Sequence, residues 1–367
     1  MVLAVALGPL AAPAAAQSEA YAGTNVSFET ESNAVVGYAV GGQTMVETME
    51  VQSASEAESQ GSVGVGTELS AVTDVGGSAV TLESSTQTEA SLTTESGATL
   101  EAHDNGRGVL VVRSGGDSQY VTANVTAAGS AESAGESRVV VTNDDGTEGT
   151  FVVVGDGDVS VNEEGNVAAR LEGNSKLVFR SYPEGRSDGD AEQERLIADG
   201  STAAEVYVQE SSESSGEFTA DVVSYSEDTT VEVTEQSEGT IRMTAERSAE
   251  EGKVIITTVS EQAISSTDGL AVTVDGEAAT EASSYSELQT AANGGETSKY
   301  MVRQGSSARA SADVLVAVNH FSEREVAMSE AGSGSDGSST PGQPGFGVGI
   351  AVLAIAAAAL LARGRTR

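Results

Sequence analysis

The stretch "RVVVTNDDGTEGTFVVVGDGDVSVNEEGNVAARLEGNSKLVFRSY", residues 138–182, decides the class of fold. It contains five short apolar runs about ten residues apart: "RVVVT", "TFVVV", "DVSV", "VAARL" and "KLVFRSY". Between the runs stand the turn signals NDDG, GDG, EGN and EGN. Glycine and asparagine readily take the positive φ that tight hairpin turns need. The stretch therefore predicts a mainly β protein, built as an antiparallel sandwich or a meander.

Later runs extend the β prediction towards the C-terminus. They are "AEVYV" (204–208), "TVEVT" (230–234), "TIRMT" (240–244), "KVIITTV" (253–259), "LAVTV" (270–274) and "VLVAV" (314–318). Apolar and polar residues alternate in three of these runs, at Val231/Val233, Ile241/Met243 and Leu270/Val272/Val274. Such alternation predicts sheets with one buried and one wet face.

Two short helices are predicted among these strands, at residues 190–198 and 284–293. The first ends at Gly200, and Ser284 and Glu287 have the spacing of a capping box at the start of the second. The first helix marks a boundary between a β-rich region at 17–183 and a second one at 184–328.

Residues 20–135 give weaker signals. "GVLVVRS" and "YVTANV" indicate strands, but Gly, Ser, Thr and Ala dominate the rest. We expect parts of 50–100 to be irregular or solenoid-like. "SKLVFR" (175–180) and "SKYMVR" (298–303) share a pattern, but no fixed-period repeat is evident.

The composition is strongly acidic. The 367 residues include 56 Asp and Glu against 18 Lys and Arg, for a net charge of −38. Nucleic acid and anionic lipid would be repelled and are excluded as partners. The acidic residues are dispersed among apolar runs, which argues against a disordered acidic tail. The pattern resembles proteins of salt-in halophilic archaea, in which multimolar salt screens such repulsion.

The residue types present exclude several kinds of site. There is no cysteine, so disulfides, thiolate metal sites, cysteine nucleophiles and a lipidated cysteine are all excluded. Tryptophan is absent and other aromatics are scarce, so we expect a core of Val, Ala, Leu and Ile.

No enzymatic motif is present in the chain, and we expect neither an enzyme nor a cofactor. His103 and His320 are the two histidines. His320 with Glu323 and Glu325, or Asp156 and Asp158 with Glu163 and Glu164, would offer metal ligands. Acidic clusters also arise by chance in such a chain, and an ordinary strand-end histidine is the competing interpretation. We therefore expect no metal site.

The N-terminus has the features of an export signal. "MVLAVALGPLAAPAAA" (1–16) is apolar and ends in Ala14-Ala15-Ala16 before Gln17, which fits signal-peptide cleavage. The usual positive n-region is missing, so the true start lies upstream or the signal is atypical. A buried N-terminal helix is the alternative.

The C-terminus predicts a membrane anchor. Residues 329–343 form a flexible Ser/Gly-rich spacer, and Phe346–Ala362 are uncharged. A helix of that length measures about 26 Å, enough to span a thin hydrocarbon core. Arg363, Arg365 and Arg367 follow and mark the cytoplasmic side.

The tripeptide Pro344-Gly345-Phe346, the apolar segment and the arginines occur in the order typical of a known signal. The arrangement resembles the PGF-CTERM sorting signal of haloarchaeal surface proteins. The resemblance implies recognition by an archaeosortase, removal of the helix near the motif and attachment of a membrane lipid to the new C-terminus. It also implies residence at the cell surface, within or beside the S-layer. A plain tail anchor is the alternative.

Two sequons, Asn25-Val26-Ser27 and Asn124-Val125-Thr126, are candidate N-glycosylation sites in an exported chain. Two classes of function remain open. The first is a structural or interaction protein of the cell envelope, anchored at its C-terminus. The second is a surface module that binds a solute or a metal.

Overall fold

The computed structural model describes residues 19–63, 67–210, 216–304 and 312–330. The predicted signal peptide, the PGF motif, the anchor helix, the arginine tail and nearly all of the spacer lie outside these ranges. The described residues are mainly β, as predicted. They belong to one compact unit of the chain.

The first fifteen strands are, in chain order, β1 (Ala20–Ala22), β2 (Val26–Glu31), β3 (Ala34–Val40), β4 (Gln43–Ser53), β5 (Val80–Ser85), β6 (Glu89–Thr94), β7 (Thr99–His103), β8 (Leu110–Arg113), β9 (Gln119–Asn124), β10 (Ser130–Ser133), β11 (Arg138–Thr142), β12 (Glu148–Val154), β13 (Gly157–Val161), β14 (Val167–Leu171) and β15 (Lys176–Tyr182).

The other eleven are β16 (Thr202–Glu210), β17 (Phe218–Ser224), β18 (Thr229–Ser237), β19 (Thr240–Arg247), β20 (Glu251–Val259), β21 (Ala271–Val274), β22 (Glu277–Ala278), β23 (Thr280–Glu281), β24 (Lys299–Gln304), β25 (Ala312–His320) and β26 (Glu323–Ser329). The α-helices are α1 (Ala54–Gln60), α2 (Asp188–Ala198) and α3 (Tyr285–Ala292), and Leu69–Ala71 form a 3₁₀ turn.

The first fifteen strands form two antiparallel sheets. Sheet A has the order β1-β2-β3-β4-β9-β14-β13, and sheet B has the order β10-β11-β12-β15-β8-β7-β6-β5. One hydrophobic cluster contains side chains from both sheets, so they pack face to face as a sandwich. A chain of aromatic contacts crosses this core from Tyr21 through Phe28, Tyr38 and Phe179 to Phe151, with ring centroids 4.9–6.0 Å apart. Val, Leu, Ala and Met fill the rest.

The stretch 138–182 contributes to the sandwich and is not a meander. β11 and β12 form a hairpin in sheet B, but β13 and β14 cross to sheet A, where β14 pairs with β9. β15 then returns beside β12. The crossing brings Val159 and Leu171 into the same core as Phe151 and Phe179, so both sheets cover one apolar interior.

Residues 50–100 are irregular in part, as expected, since residues 72–79 belong to no helix or strand, but much of the remainder is regular. They include part of β4, the helix α1, and β5, β6 and β7, which form one side of sheet B. The inward positions of β6 are Ala90 and Leu92, and those of β7 are Leu100 and Ala102. Small and polar residues occupy the alternate positions, which face the other side of the sheet. Because few residues in these strands are large and apolar, the strand pattern is weak in the sequence.

The described ranges contain three α-helices, where the sequence predicted two. The missed helix α1 has Ser53 as its N-cap, whose hydroxyl accepts a hydrogen bond from the Glu56 backbone N–H at 3.3 Å. Gly61 ends it with a φ of 76°, in the left-handed region that favours glycine.

The last eleven strands form a second sandwich. Sheet C has the order β17-β16-β20-β25-β24-β23, and sheet D has the order β18-β19-β26-β21-β22. One core cluster contains side chains from both. The predicted antiparallel pattern holds except for β16–β20 and β23–β24, which are parallel. Parallel pairing of β16 with β20 follows because the chain crosses through sheet D between them.

The predicted helices cover the outer face of sheet C. α2 begins two residues before the predicted start, with Ser187 and Asp190 forming a capping box, and Ser284 caps α3. Leu196 of α2 and Leu288 of α3 share a cluster with side chains of β20, β24 and β25. Sheet C is therefore covered on both faces, which explains its unbroken apolar runs.

Candidate functional site

The two sandwiches meet through the outer face of sheet B. Apolar side chains of β8, β12 and β15 pack there against α2, β16 and the end of β17. Buried polar and charged side chains adjoin this contact, and we call them the junction network. Its members are His103, Asn105, Arg107, Arg180, Tyr182, Asp190, Gln193, Glu194, Glu205, Tyr207, Asp221 and Asp313.

Arg107 connects the first sandwich to the second. It lies between β7 and β8, and its Nη1 contacts Asp190 Oδ1 at 2.8 Å while its Nη2 contacts Asp313 Oδ2 at 2.9 Å. Its guanidinium also lies 5.2 Å from the centre of the Tyr182 ring. Burial by itself would raise the pKa of Asp190, but Arg107 and hydrogen bonds from Ser187 hold that pKa below its usual value. Asp190 is therefore a charged partner of Arg107 inside the protein.

Arg180 forms a second connection. Its Nη2 lies 2.8 Å from Glu205 Oε1, and the two side chains are 0% and 1% exposed. The same Nη2 donates to Gln193 Oε1 at 3.1 Å, and the Tyr207 hydroxyl donates to the other oxygen of Glu205. An unpaired charge at this depth would be severely destabilising, so the contact fixes the two side chains relative to each other.

The Glu194 carboxylate of α2 accepts hydrogen bonds from three side chains. It accepts from the Tyr182 hydroxyl at 2.7 Å, from Arg186 Nε at 2.7 Å and from Arg138 Nη1 at 3.2 Å. Burial would raise the pKa of Glu194, but the hydrogen bonds of Arg186 and Tyr182 and the arginine charges lower it. The carboxylate therefore attaches α2 to sheet B in its charged form.

His103 and Asp221 form a further pair across the junction. His103 Nδ1 lies 2.8 Å from Asp221 Oδ1, and Asn105 Nδ2 donates to Asp221 Oδ2 at 2.7 Å. Burial would lower the pKa of His103, but the charge and hydrogen bond of Asp221, with Glu89 and Glu101, raise it. His103 Nε2 is buried and makes no hydrogen bond within the described ranges. A catalytic triad would place a nucleophile at that atom, so the pair does not have the geometry of one.

The junction network supplies ion pairs and hydrogen bonds between the two sandwiches. All of its members are buried, so a substrate in solvent has no direct access to them. Ion pairs and hydrogen bonds with such geometry fix the register of the surfaces that carry them. The arrangement holds two sandwiches in one orientation.

The structure places the sequons differently. Asn25 directly precedes β2, and its side chain donates to the Asp104 backbone oxygen at 3.2 Å. Asn124 is the last residue of β9 and lines a surface depression of ≈ 500 Å³. The sorting residues Pro344, Gly345 and Phe346 and the arginines Arg363, Arg365 and Arg367 lie outside the described residues.

The two metal hypotheses find no support in the described part of the chain. Asp158 is paired with Arg170 at 3.0 Å. His320 ends β25 in an exposed position, and its backbone oxygen accepts from Arg324 Nε. Throughout the described ranges, no group of three or more His, Asp or Glu side chains is arranged to hold a metal ion. No helix within these ranges is long and apolar enough to cross a membrane.

Sequence reasoning missed the junction network, although a signal was present. Arg180, Glu205 and Asp313 are charged residues that adjoin apolar runs in buried strands. A charge in such a run needs a buried partner. The partner could not be identified, because Arg107 and Asp313 are 206 residues apart in the sequence.

No protein-family model matches this chain, and no similar protein was found among the curated proteins.

Proposed function

We propose that this chain is an exported cell-surface protein of a halophilic archaeon, anchored at its C-terminus, with a structural or interaction role in the envelope. The observation that supports a structural role is the junction network. It joins two sandwiches through buried ion pairs such as Arg107–Asp190 and Arg180–Glu205. A rigid ectodomain suits a protein that spaces or supports other envelope components.

The terminal segments provide the argument for location. An apolar N-terminus with a small-residue cleavage site directs export, and the acidic chain that follows suits a saline exterior. At the other end, the apolar segment holds the unprocessed chain in the bilayer, and the arginines fix the orientation of that segment. Pro344 disfavours helix at Gln343, which leaves extended backbone for a processing enzyme. The partners are therefore an archaeosortase and the membrane lipid that replaces the tail.

The experiment changes Pro344-Gly345-Phe346 to three alanines in the full chain, expressed in a halophilic archaeon. We expect the wild-type protein in the membrane fraction to lack the peptide that ends at Arg367, whereas the variant keeps it and migrates as a larger species. Mass spectrometry of both C-termini decides. Mature wild-type protein that still ends at Arg367 would show that the segment is a plain membrane anchor.

One observation favours the alternative of a solute-binding module. A depression of ≈ 770 Å³ is lined in the described residues mainly by glutamines and glutamates, with Phe218, Thr219, Ser237 and Gly216. Gln236 belongs to this lining, and its Oε1 is buried without a hydrogen-bond partner in the described ranges. A thermal-unfolding screen with sugars and divalent cations tests this candidate, and a rise in melting temperature that Gln236→Ala abolishes would support it.

A further inference from the structure

The two sequons differ in how firmly the fold holds them. The three backbone N–H groups of Thr24, Asn25 and Val26 all donate to the carboxylate of Asp104, at 2.6–2.7 Å. The sequon then enters β2, where Ser27 pairs with β1 on one side and β3 on the other. Exposing Asn25 and its hydroxyl residue to another protein would require breaking these bonds and opening sheet A.

The sequon at Asn124 leaves its strand instead of entering one. Asn124 is the last residue of β9, where it pairs with Thr48 of β4 and is half-buried. Ala127 and Ala128, just beyond the sequon, are exposed. Thr126 is buried, and its hydroxyl accepts one hydrogen bond, from the backbone N–H of Asp144 at 3.2 Å. The Val125 backbone N–H donates to Asn166 Oδ1 at 3.1 Å, and Asp144 lies in an exposed turn. Presenting Asn124 and Thr126 together requires only local opening of this turn and of the Val125–Asn166 hydrogen bond, at the end of the β9 ladder, while the remainder of sheet A stays paired.

The surroundings of Asn124 leave room for a substituent. The depression of ≈ 500 Å³ is lined by residues 124–127, 129–131 and 164–166, together with Glu47. Most of these residues are small, and apart from Asn124 the polar side chains of the lining are Glu47, Glu164, Asn166, Thr126 and Ser130. This volume lies within the range of roughly 300–1,000 Å³ that small-molecule sites occupy. Polar, non-aromatic walls of this kind suit hydroxyl-rich sugar rings more than an apolar ligand.

We propose that Asn124 is N-glycosylated, that its first sugars occupy this depression, and that Asn25 is not modified. The modification rests on the export proposed above. An external transferase supplies a sugar donor activated as a phosphate ester. The Asn124 Nδ2–carbon bond forms at the anomeric carbon, the bond from that carbon to the phosphate oxygen breaks, and the phosphate leaves with its electron pair. Nδ2 loses one proton to a base of the transferase.

The experiment uses the full wild-type chain, exported by a halophilic archaeon and recovered from its membrane fraction. Trypsin releases Asn124 in the peptide 114–138, and cleavage after glutamate releases Asn25 in the peptide 20–29. We expect glycan mass on the first peptide and none on the second. Asn124→Gln should remove all glycan from the protein, while the matched control Asn25→Gln should leave its mass shift unchanged.

The position of the sugars is tested by hydrogen exchange. Backbone amides of residues 125–131 and 164–166 should exchange several-fold more slowly in the wild type than in Asn124→Gln, because the sugars cover them. Equal exchange would overturn the placement of the sugars in the depression.

Three outcomes would overturn the proposal that Asn124 is glycosylated and Asn25 is not. Glycan on Asn25, or an unmodified Asn124 in a protein whose N-terminus begins at Gln17, would contradict it while leaving the proposed export intact. A membrane-fraction protein that still begins at Met1 and carries no glycan would contradict both.

Discussion

At the scale of single residues, this protein combines two kinds of charge. Surface charges such as Asp158 and Arg170 are about half exposed and lie in water. Junction charges such as Arg180 and Glu205 have no contact with solvent. Burying an ion pair has a desolvation cost that can exceed its Coulombic gain, but removing one partner leaves an uncompensated charge. The two kinds of pair should therefore respond very differently to mutation.

Glu205→Gln should lower the free energy of unfolding by about 3–5 kcal/mol, because it leaves the Arg180 guanidinium buried without an opposite charge. The matched surface variant Asp158→Asn should cost less than about 1 kcal/mol. The double variant Arg180→Met, Glu205→Leu should recover part of the loss. Urea unfolding in multimolar KCl measures all three. Equal losses for Glu205→Gln and Asp158→Asn would show that the junction pair has no special importance.

The raised pKa of Glu50, on β4, predicts that the stability of the protein depends on pH. Burial, followed by the charge and hydrogen bond of Asp74, raises the pKa of Glu50 from 4.5 to about 7. The folded protein therefore holds this proton more tightly than the unfolded chain. The resulting contribution to stability is complete below about pH 4.5 and is lost as the pH rises through about 7.

The variant Glu50→Gln mimics the protonated carboxyl and should not lose this contribution. Its stability relative to the wild type should therefore increase between pH 4.5 and pH 7. Glu47→Gln, which is exposed on the same strand, serves as the control and should show no such trend. A constant difference between Glu50→Gln and the wild type across this range would contradict the prediction.

At the scale of elements, local signals predicted strands well and their partners poorly. β11 has the predicted bounds, and α2 and α3 lie within two residues of the predicted helices. Apolar periodicity, glycine turns and capping residues are local properties, which explains this agreement. The crossing of β13 and β14 to sheet A depends instead on which apolar faces meet, and single-sequence patterns do not contain that information. The same limit hid the partners of Arg107 and Arg180.

The helix α1 is a different case, since its signals were present. Ser53 and Glu56 have N-cap spacing, and Gly61 follows at the other end. The low apolar content of "ASEAESQ" hid them, because only Ala57 of this helix is buried.

Substituting alanine at two glycines should have opposite effects on stability. Gly252, in β20, has no space for a Cβ atom, which would collide with backbone oxygens of Ala292, Val318 and Asn319. Gly252→Ala should therefore destabilise the protein by about 1–3 kcal/mol. Gly189, in the first turn of α2, has room at ordinary van der Waals distance, so Gly189→Ala should be neutral or stabilising by up to about 1 kcal/mol. Thermal unfolding compares the two, and a Gly252→Ala variant as stable as Gly189→Ala would contradict the packing described.

At the scale of the whole molecule, the main feature is the large negative net charge. All 56 acidic residues lie within residues 17–343, and the fifteen basic residues there leave −41. Self-repulsion of this size loosens a compact state unless salt screens it, and the Debye length falls to about 3 Å at 1 M salt. The junction pairs, being out of water, are screened much less.

We therefore expect the segment 17–338 to need high ionic strength to fold. Its far-UV circular dichroism should lose the β signal as KCl or NaCl is lowered towards about 10 mM, where the Debye length is about 30 Å and the repulsion is little screened. A full β signal at that concentration would contradict the expectation.

The position of β26 in sheet D has a mechanical consequence. The chain leaves the described unit from this strand, which is hydrogen-bonded to β19 on one side and to β21 on the other. Tension applied along β26 from its C-terminal end would shear both of its hydrogen-bond ladders. The hydrogen bonds of each ladder would then bear the force together and would not break one after another. If the chain is tethered as proposed, a pull on its anchor acts on the middle of a sheet. Rupture would then be governed by the unfolding rate of the second sandwich as a whole.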